Sequence, residues 1–500
     1  MQSGSFELRS GNLAVRLAGN EHGVNARLED AACAAIHAAG PYRYRVTTVS
    51  GTDLTVSDAP REIALDGDER EIALSARLGV LKLAHVLRVA ETPGGLDETL
   101  TLTNDGETPV TVDSFAAGFL YRIADDAGNL LHDFEASVVA PVPFMVRPGL
   151  FEKEGPEIPL ATALATRGGS QRSGFRWRYG HLPSDGWLAE GWMWRQREDS
   201  ALAVFKFNQD AVEFSYLAFE PFDGGVYLRF GGAAFSALER REQLELAPAR
   251  SVTFGLTHYR AVKDGYRSAC YAHRGFLDGK GCRFPGDYDP HVQWNELYDN
   301  PELSTASPGK PALNKHSGET RPYTYSRDII FGEAEKAVAY GCQSLYLDPG
   351  WDTEFGSLVW GEAWLGPQED FVAELEKRYG LSLALHFALA PWASSNDHTA
   401  FWPDGADSII EDLACASDSK HTPKVCFGSR TYLEATLKRA LLLCERGAHM
   451  LLFDGNCWYG DCASPEHGHP VPYTMAAHVD ANMWLATEIH RLCRQPFQPQ

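Results

Sequence analysis

The sequence predicts a multidomain protein, β followed by α/β, with a large antiparallel β-sandwich ahead of a partial (β/α)8 TIM-type barrel. Residues 6 to about 260 contain short β-rich runs separated by Gly, Pro, Asn and Asp. After about residue 265, helical segments alternate with strands that are continuous apolar runs. The chain has 500 residues, 44% of them hydrophobic, which is enough for two or three domains with separate cores.

The N-terminal region, residues 1–262, has the pattern of a β-sandwich. Apolar residues alternate with others from Leu13 to Leu17, directly after the turn-forming sequence Ser10-Gly11-Asn12. Similar runs and turns recur up to Leu246. We interpret residues 263–290 as a linker.

A group of tryptophans stands out in this region, because none occurs before Trp177. Trp187, Trp192 and Trp194 follow it within a stretch rich in Gly and Arg. If exposed, these rings could stack on a sugar. The alternative is that they pack inside the protein.

Residues 291–500 are predicted to form the N-terminal half of the barrel, with about four βα units. Ser326, Ser429 and Thr474 are predicted to cap helices, and glycines such as Gly380 to end them. Apolar strands are predicted at 344–348, 381–387 and 449–454. This alternation is typical of a parallel sheet covered by helices.

Charge and hydropathy exclude several classes of partner. Lys and Arg number 45 against 67 Asp and Glu, and a net charge of −22 disfavours binding to nucleic acid. Apolar runs are too short for a membrane helix. The N-terminus lacks a signal-peptide pattern, so a cytoplasmic location is expected. Oligomeric state is left open, with a homo-oligomer among the partners considered.

Ten cysteines without a CxxC pair are interpreted as reduced thiols. Cys457 and Cys462 could form a zinc cluster with His467 and His469. Their spacing argues against this alternative, because structural zinc sites usually have Cys pairs two to four residues apart. Neither a metal nor an organic cofactor is predicted.

Two predicted strands end in a carboxylate, Asp348 and Asp454. A charge that closes an apolar strand is costly unless it is paired or functional, and active sites of β/α barrels lie at the carboxyl ends of their strands. For either Asp alone, a helix cap or a loop ion pair is the alternative. Trp351 follows the first and Trp458 the second. Carboxylates beside indoles suit a neutral sugar, so we expect a small-molecule carbohydrate partner.

Five segments of the chain resemble the clan D glycoside hydrolases, most closely family 36, the α-galactosidase type. They are Gln293-Trp294-Asn295, Leu345 to Trp351, Leu381 to Pro391, Phe427-Gly428-Ser429 and Leu451 to Asn456. The second segment resembles a family strand ending in Asp-Asp-Gly-Trp, and the last resembles Lys-Trp-Asp-Met-Asn. A large β-sandwich ahead of the barrel also fits this family.

The resemblance implies a retaining α-glycosidase that hydrolyses a terminal α-linked sugar. Asp454 would be the nucleophile, which forms a covalent glycosyl-aspartate, and glycoside cleavage by two carboxyl groups needs no cofactor. Residues expected to bind substrate are Asp348, Trp351, Trp294, Asn295, Asn456, Trp458 and His386.

The chain departs from the family pattern at two positions that contact sugar hydroxyls. Pro349 stands in place of the second Asp, and Leu452 in place of the Lys two residues before the nucleophile. Galactose specificity is therefore not implied. His386, His467 and His469 are candidate replacements for the lost polar groups, with a structural or surface role as the alternative for each.

The predicted barrel strands begin about 52 residues apart, so four further βα units would require roughly 210 residues beyond Gln500. The family acid/base Asp lies near the sixth strand, and no residue here matches it. We therefore expect a truncated chain that is inactive alone. The alternatives are a transglycosylase, or a non-catalytic carbohydrate-binding protein on a decayed glycosidase scaffold.

Overall fold

The computed structural model describes residues 4–20, 23–91, 94–142, 157–165, 186–189, 191–208, 213, 215–236, 243–283, 286, 289–300, 325–353, 356–389, 426–454, 465–470, 473 and 475–493. The chain divides into two compact units, residues 1–284 and 285–500. Each unit is built from its own local sequence pattern.

The described part of the first unit is mainly β-structure. Its strands are β1 (Ser5–Ser10), β2 (Leu13–Asn20), β3 (Gly23–Asp30), β4 (Ala35–Ser50), β5 (Asp53–Ser57), β6 (Arg61–Gly67), β7 (Glu71–Leu78), β8 (Leu81–Val89), β9 (Gly95–Thr103), β10 (Val110–Ala124), β11 (Val138–Val142), β12 (Ile158–Pro159), β13 (Gly186–Ala189), β14 (Gly191–Arg197), β15 (Ser200–Phe207), β16 (Ser215–Phe222), β17 (Gly225–Ser236), β18 (Leu244–Leu246), β19 (Ser251–Thr253) and β20 (Leu256–Val262).

These strands form two ten-stranded sheets with antiparallel pairing. One has the order β1-β2-β3-β4-β10-β17-β16-β13, with β5 beside β4 and β18 beside β10. The other has the order β12-β11-β14-β15-β20-β9-β8-β7-β6, with β19 beside β9. The β-rich character predicted for this region is thus confirmed.

Both sheets contribute to one hydrophobic core, because their strands alternate between buried and exposed positions. In β7, for example, every second residue from Ile72 to Leu78 is buried. The cluster joins Val15 and Tyr44 of one sheet to Leu74 and Leu100 of the other.

The predicted turn at residues 10–12 is confirmed. Ser10 pairs with Leu13 across a two-residue hairpin, and Gly11 has φ +58°. Tight hairpins of this kind require positive φ, which glycine adopts without a steric cost.

Trp192 and Trp194 belong to the same core, each with 1% of its surface exposed. The Trp192 indole nitrogen donates to the carbonyl oxygen of Ser215 at 3.0 Å. The packing interpretation therefore holds for these two rings. The side chains of Trp177 and Trp187 lie outside the described residues.

Helices are few among the described residues of the first unit. They are α1 (Leu160–Ala165), α2 (Tyr266–Gly279) and a 3₁₀ turn at His132–Phe134. Helix α2 occupies much of the predicted linker 263–290, and its residues Ala269 and Phe276 are buried beside Phe205 of β15. The last strand of this unit is therefore followed by a helix whose apolar face is buried.

The second unit contains one four-stranded parallel sheet in its described residues, in the order β21 (Gln293–Asn295), β22 (Ser344–Leu347), β23 (Ser382–Ala388), β24 (Ala448–Asp454). Its helices are α3 (Glu296–Asp299), α4 (Arg327–Ala339), α5 (Glu362–Leu365), α6 (Gln368–Tyr379), α7 (Arg430–Glu445) and α8 (Met475–Cys493), with a 3₁₀ turn at Pro465–His467. The alternation of strands and helices agrees with the sequence. An eight-unit barrel stays a prediction.

Local capping explains several helix ends. The Ser429 hydroxyl accepts from the backbone nitrogen of Tyr432 at the start of α7. Gly380 has φ +67° and donates to the Glu376 carbonyl oxygen at 2.8 Å, which ends α6. Ser326 precedes α4 without a side-chain capping bond, and Thr474 lies outside the described residues. Among the helices that the structure describes, none combines the length and apolar character needed to cross a bilayer.

Candidate active site

Polar residues gather at the carboxyl ends of the four parallel strands. Asn295 is the last residue of β21 and pairs with Tyr346 of β22, while Asp348 directly follows that strand. In the other two strands, His386 of β23 pairs with Leu452 of β24, and Asp454 is the last residue of β24. Because side chains alternate with period two, these residues share one face of the sheet.

Asp348 is held by Asn295. The Asn295 amide nitrogen donates to Oδ2 of Asp348 at 2.8 Å. The Asn295 amide oxygen accepts from the backbone nitrogens of Leu297 and Tyr298, at 2.9 and 3.2 Å, and so caps α3. The cap fixes which end of the amide faces the carboxylate. Asp348 itself is 8% exposed.

Glu296, which the sequence analysis missed, is fully buried beside Asp348. Its Oε1 accepts from the Tyr325 hydroxyl and from the backbone nitrogen of Asp348, both at 2.7 Å. The pKa of Glu296 is raised to about 8. Burial is the largest cause; the hydrogen bond from Tyr325 lowers the pKa, and the charge of Asp348 raises it. The signal was present, since Glu296 is also an acid that directly follows a strand.

Two further pKa directions show that the carboxyl groups interact. Burial raises the pKa of Asp348; the Asn295 hydrogen bond and the His386 charge lower it, and Asp454 raises it. Burial also raises the pKa of Tyr346, and the charges of Asp348, Glu296 and Asp454 add to this effect. The Tyr346 phenol therefore stays neutral among the acids.

Asp454 contacts His386 across β23 and β24. The His386 Nε2 lies 3.1 Å from Oδ2 of Asp454. His386 is 5% exposed as a residue, whereas the Asp454 side chain is about half exposed, at 49%. Leu452, at the position of the family Lys, is 38% exposed on the same face. The carboxylate of Asp454 is thus more accessible than that of Asp348, and it is in contact with His386.

Two of the three tryptophans expected at the site lie in the described residues, and neither lies open to it. Trp351 is 1% exposed within the hydrophobic core, and its indole nitrogen donates to the His386 carbonyl oxygen at 3.0 Å. Trp294 points to the helices, donating to Glu333 at 3.1 Å and stacking on Tyr340. In this structure, Trp351 supports the strand that carries His386 and offers no open indole face.

Asn456 and Trp458 lie outside the described residues, so their roles stay predictions. Asp352, a nearby acid, is 2% exposed and accepts from the backbone nitrogen of Gly356 at 2.7 Å. It therefore stabilises the loop after β22.

One group among the described residues has donors suited to a metal ion. It consists of Cys426, His467 and His469, whose ligand atoms all lie within 4.8 Å of one another. His467 and His469, the two histidines of the zinc alternative, both belong to this group, and the sulfur atom of the group is that of Cys426. Cys457 and Cys462 lie outside the described residues.

No protein-family profile and no curated protein matches the chain. Solved structures do match. Family 36 α-galactosidase AgaB from Geobacillus stearothermophilus is 10% identical, with a TM-score of 0.56, over 98% of this chain and 70% of AgaB. The chain has a family 36-like fold.

Two more solved structures share this family 36-like fold. A variant of AgaA from Geobacillus stearothermophilus, in complex with raffinose, is 10% identical with a TM-score of 0.55, over 98% of this chain and 71% of AgaA. The α-galactosidase from Lactobacillus brevis is 10% identical with a TM-score of 0.53, over 98% of this chain and 68% of that enzyme. At such identities the likeness concerns the fold.

Proposed function

We propose that the chain has the function of a retaining α-glycosidase and that Asp454 is its nucleophile. The observation that carries this proposal is the half-exposed carboxylate of Asp454 at the end of β24, on a family 36-like fold. The remaining roles follow from the hydrogen bonds around it.

In this scheme His386 orients Asp454 for attack on the anomeric carbon. The bond from the anomeric carbon to the leaving group breaks as a covalent glycosyl-aspartate forms. Asp348, oriented by Asn295, accepts from sugar hydroxyls. In a retaining enzyme a second carboxyl group supplies the proton for the leaving group, and no described residue is assigned this role.

A leaving group that needs no protonation tests the nucleophile directly. The purified chain should release fluoride from α-galactosyl fluoride or α-glucosyl fluoride and retain one glycosyl unit on the peptide that contains Asp454. Asp454→Asn should abolish the adduct, whereas Asp480→Asn, an exposed acid on α8, should not. Intact-protein and peptide mass spectrometry measure both results.

An equal adduct yield in Asp454→Asn would overturn the nucleophile assignment.

A second function is favoured by one observation, the apolar Leu452 at 38% exposure beside the carboxylates. If neither fluoride yields product while calorimetry detects galactose or glucose binding that Asp348→Asn weakens, the chain is a carbohydrate-binding protein instead.

A further inference from the structure

A second group of reactive side chains, distinct from the carboxyl residues Asp348, Glu296 and Asp454, consists of Cys426, His467 and His469. Cys426 precedes α7, in the segment that follows β23, and the two histidines lie between β24 and α8. Cys426 Sγ is 3.4 Å from Nε2 of His469. Cys426 is fully buried, His467 is 4% exposed, and His469 is half-buried.

The backbone brings the two imidazoles together. Gly468, between them, has φ +75°, a left-handed conformation that favours glycine. A Cβ added there would come within 3.1 Å of Arg430. The centroids of the two rings are 5.6 Å apart and the rings are nearly perpendicular, so they do not stack. One nitrogen of each ring and the Cys426 sulfur all lie within 4.8 Å of one another.

The orientation of His469 is that of a metal ligand. Its Nδ1 lies 2.9 Å from the Pro470 carbonyl oxygen, so Nδ1–H donates there and the lone pair of Nε2 faces Cys426. Metal-binding histidines usually donate their second nitrogen to a carbonyl or carboxylate in this way. Tyr473 packs on the same ring at 4.7 Å and restricts its rotation.

We propose that Cys426, His467 and His469 bind a divalent transition metal of the zinc type, with water as the fourth ligand. Zn–S and Zn–N bonds of about 2.3 and 2.0 Å at a tetrahedral angle put sulfur and nitrogen roughly 3.5 Å apart. The 3.4 Å separation of Cys426 and His469 is close to this value. A thiolate with two imidazoles selects Zn²⁺ over Mg²⁺ or Ca²⁺.

Metal binding replaces the thiol proton of Cys426, which passes to solvent, while both histidines bind as neutral ligands. The metal would tie the segment after β23 to the segment after β24. His386 lies on the first of these strands and Asp454 ends the second. The metal would therefore restrain the segments beside the proposed nucleophile.

The test uses the full chain after removal of any affinity tag. The protein is treated with a chelator, reconstituted with ZnCl₂ or CoCl₂ at micromolar free metal, and analysed by elemental mass spectrometry and absorption spectroscopy. We expect one metal per chain, a thiolate-to-cobalt charge-transfer band and the visible bands of tetrahedral Co²⁺. Cys426→Ser should lose the charge-transfer band, and His469→Gln should lose bound metal.

Matched controls are Cys444→Ser on α7 and His490→Ala, an exposed residue on α8. Both variants should keep the metal, the charge-transfer band and the visible bands of Co²⁺. Far-ultraviolet circular dichroism of each variant separates loss of metal from loss of fold. If Cys426→Ser does not fold, His469→Gln still tests the site, because His469 is only half-buried. A wild-type chain without bound metal, or an unchanged cobalt spectrum in Cys426→Ser, overturns the proposal.

Discussion

Each unit buries a glutamate completely, but the two carboxyl groups have opposite protonation. In the β-unit, Glu98 accepts from the Tyr42 hydroxyl at 2.6 Å, from the Gly232 nitrogen at 2.8 Å and from the Tyr259 hydroxyl. His85 Nε2 lies 2.7 Å from its Oε1. Burial raises the pKa of Glu98, but the contacts with His85, Tyr259 and Tyr42 lower it more.

Glu296 in the α/β unit has fewer donors and a negative neighbour. Both of its donors, Tyr325 and the Asp348 nitrogen, bind Oε1, while Oε2 is buried without a hydrogen-bond partner among the described residues. Its pKa of about 8 keeps it protonated at neutral pH. Burial alone therefore does not decide the charge of a carboxyl group; the donors supplied to each oxygen do.

The largest expected effect is that of Glu98→Gln. The variant leaves several buried donors facing an amide, so the free energy of unfolding should fall by about 3–5 kcal/mol at pH 7. Because the folded pKa of Glu98 is lowered, this loss should shrink as pH falls through that pKa. Urea unfolding followed by circular dichroism measures it. Glu245→Gln, an exposed residue of β18, is the control, and an equal loss in both variants would refute the role of Glu98.

A smaller effect is expected for Asn295→Ala. The substitution removes the cap of α3, so the free energy of unfolding should fall by about 1–2 kcal/mol. It also removes the donor that lowers the pKa of Asp348, so that pKa should rise. As pH is lowered, sugar binding should therefore weaken at a higher pH in the variant than in the wild type. Asn482→Ala on α8 is a control without this carboxylate contact. Unchanged stability would remove Asn295 from the proposed positioning role.

The smallest effect is expected for Glu296→Gln near pH 4, where one neutral group replaces another in the folded chain and the carboxyl group of the unfolded chain is also largely protonated. The free energy of unfolding should change there by less than about 1 kcal/mol. The folded state holds its proton up to a pKa of about 8, against 4.5 as the ordinary value, so the Glu296 contribution makes the wild type less stable as pH rises between these values. The variant should lose this slope in urea unfolding from pH 5 to 8. A loss as large as that of Glu98→Gln would mean that Glu296 is ionised.

Local patterns predicted much of the fold. The strand with alternating apolar residues from Leu13 to Leu17, the hairpin at Gly11 and the cap at Ser429 depend on neighbouring residues, and all three are confirmed. Asp348 and Asp454 were found because a charge at the end of an apolar run is visible in the sequence. The structure confirms that both residues lie at strand ends.

Long-range contacts could not be predicted in the same way. Tyr325 meets Glu296 across 29 residues, and Cys426 meets His469 across 43. The burial of Trp351 depends on how the loop after β22 packs. The different orientations of Trp294 and Asn295 could have been predicted from the sequence. Adjacent residues of a strand face opposite sides of the sheet, so only one of the two could reach the carboxylates.

Strand β24 has a further consequence for handling the protein. In the described part of the chain it pairs only with β23, so its outer edge presents backbone donors and acceptors that another strand could use. The partly exposed Asp454 places a charge on this edge strand, and charges of this kind disfavour aggregation through edge pairing. Neutral replacements of Asp454 remove this protection, so their samples should be checked by light scattering before a loss of turnover is assigned to chemistry.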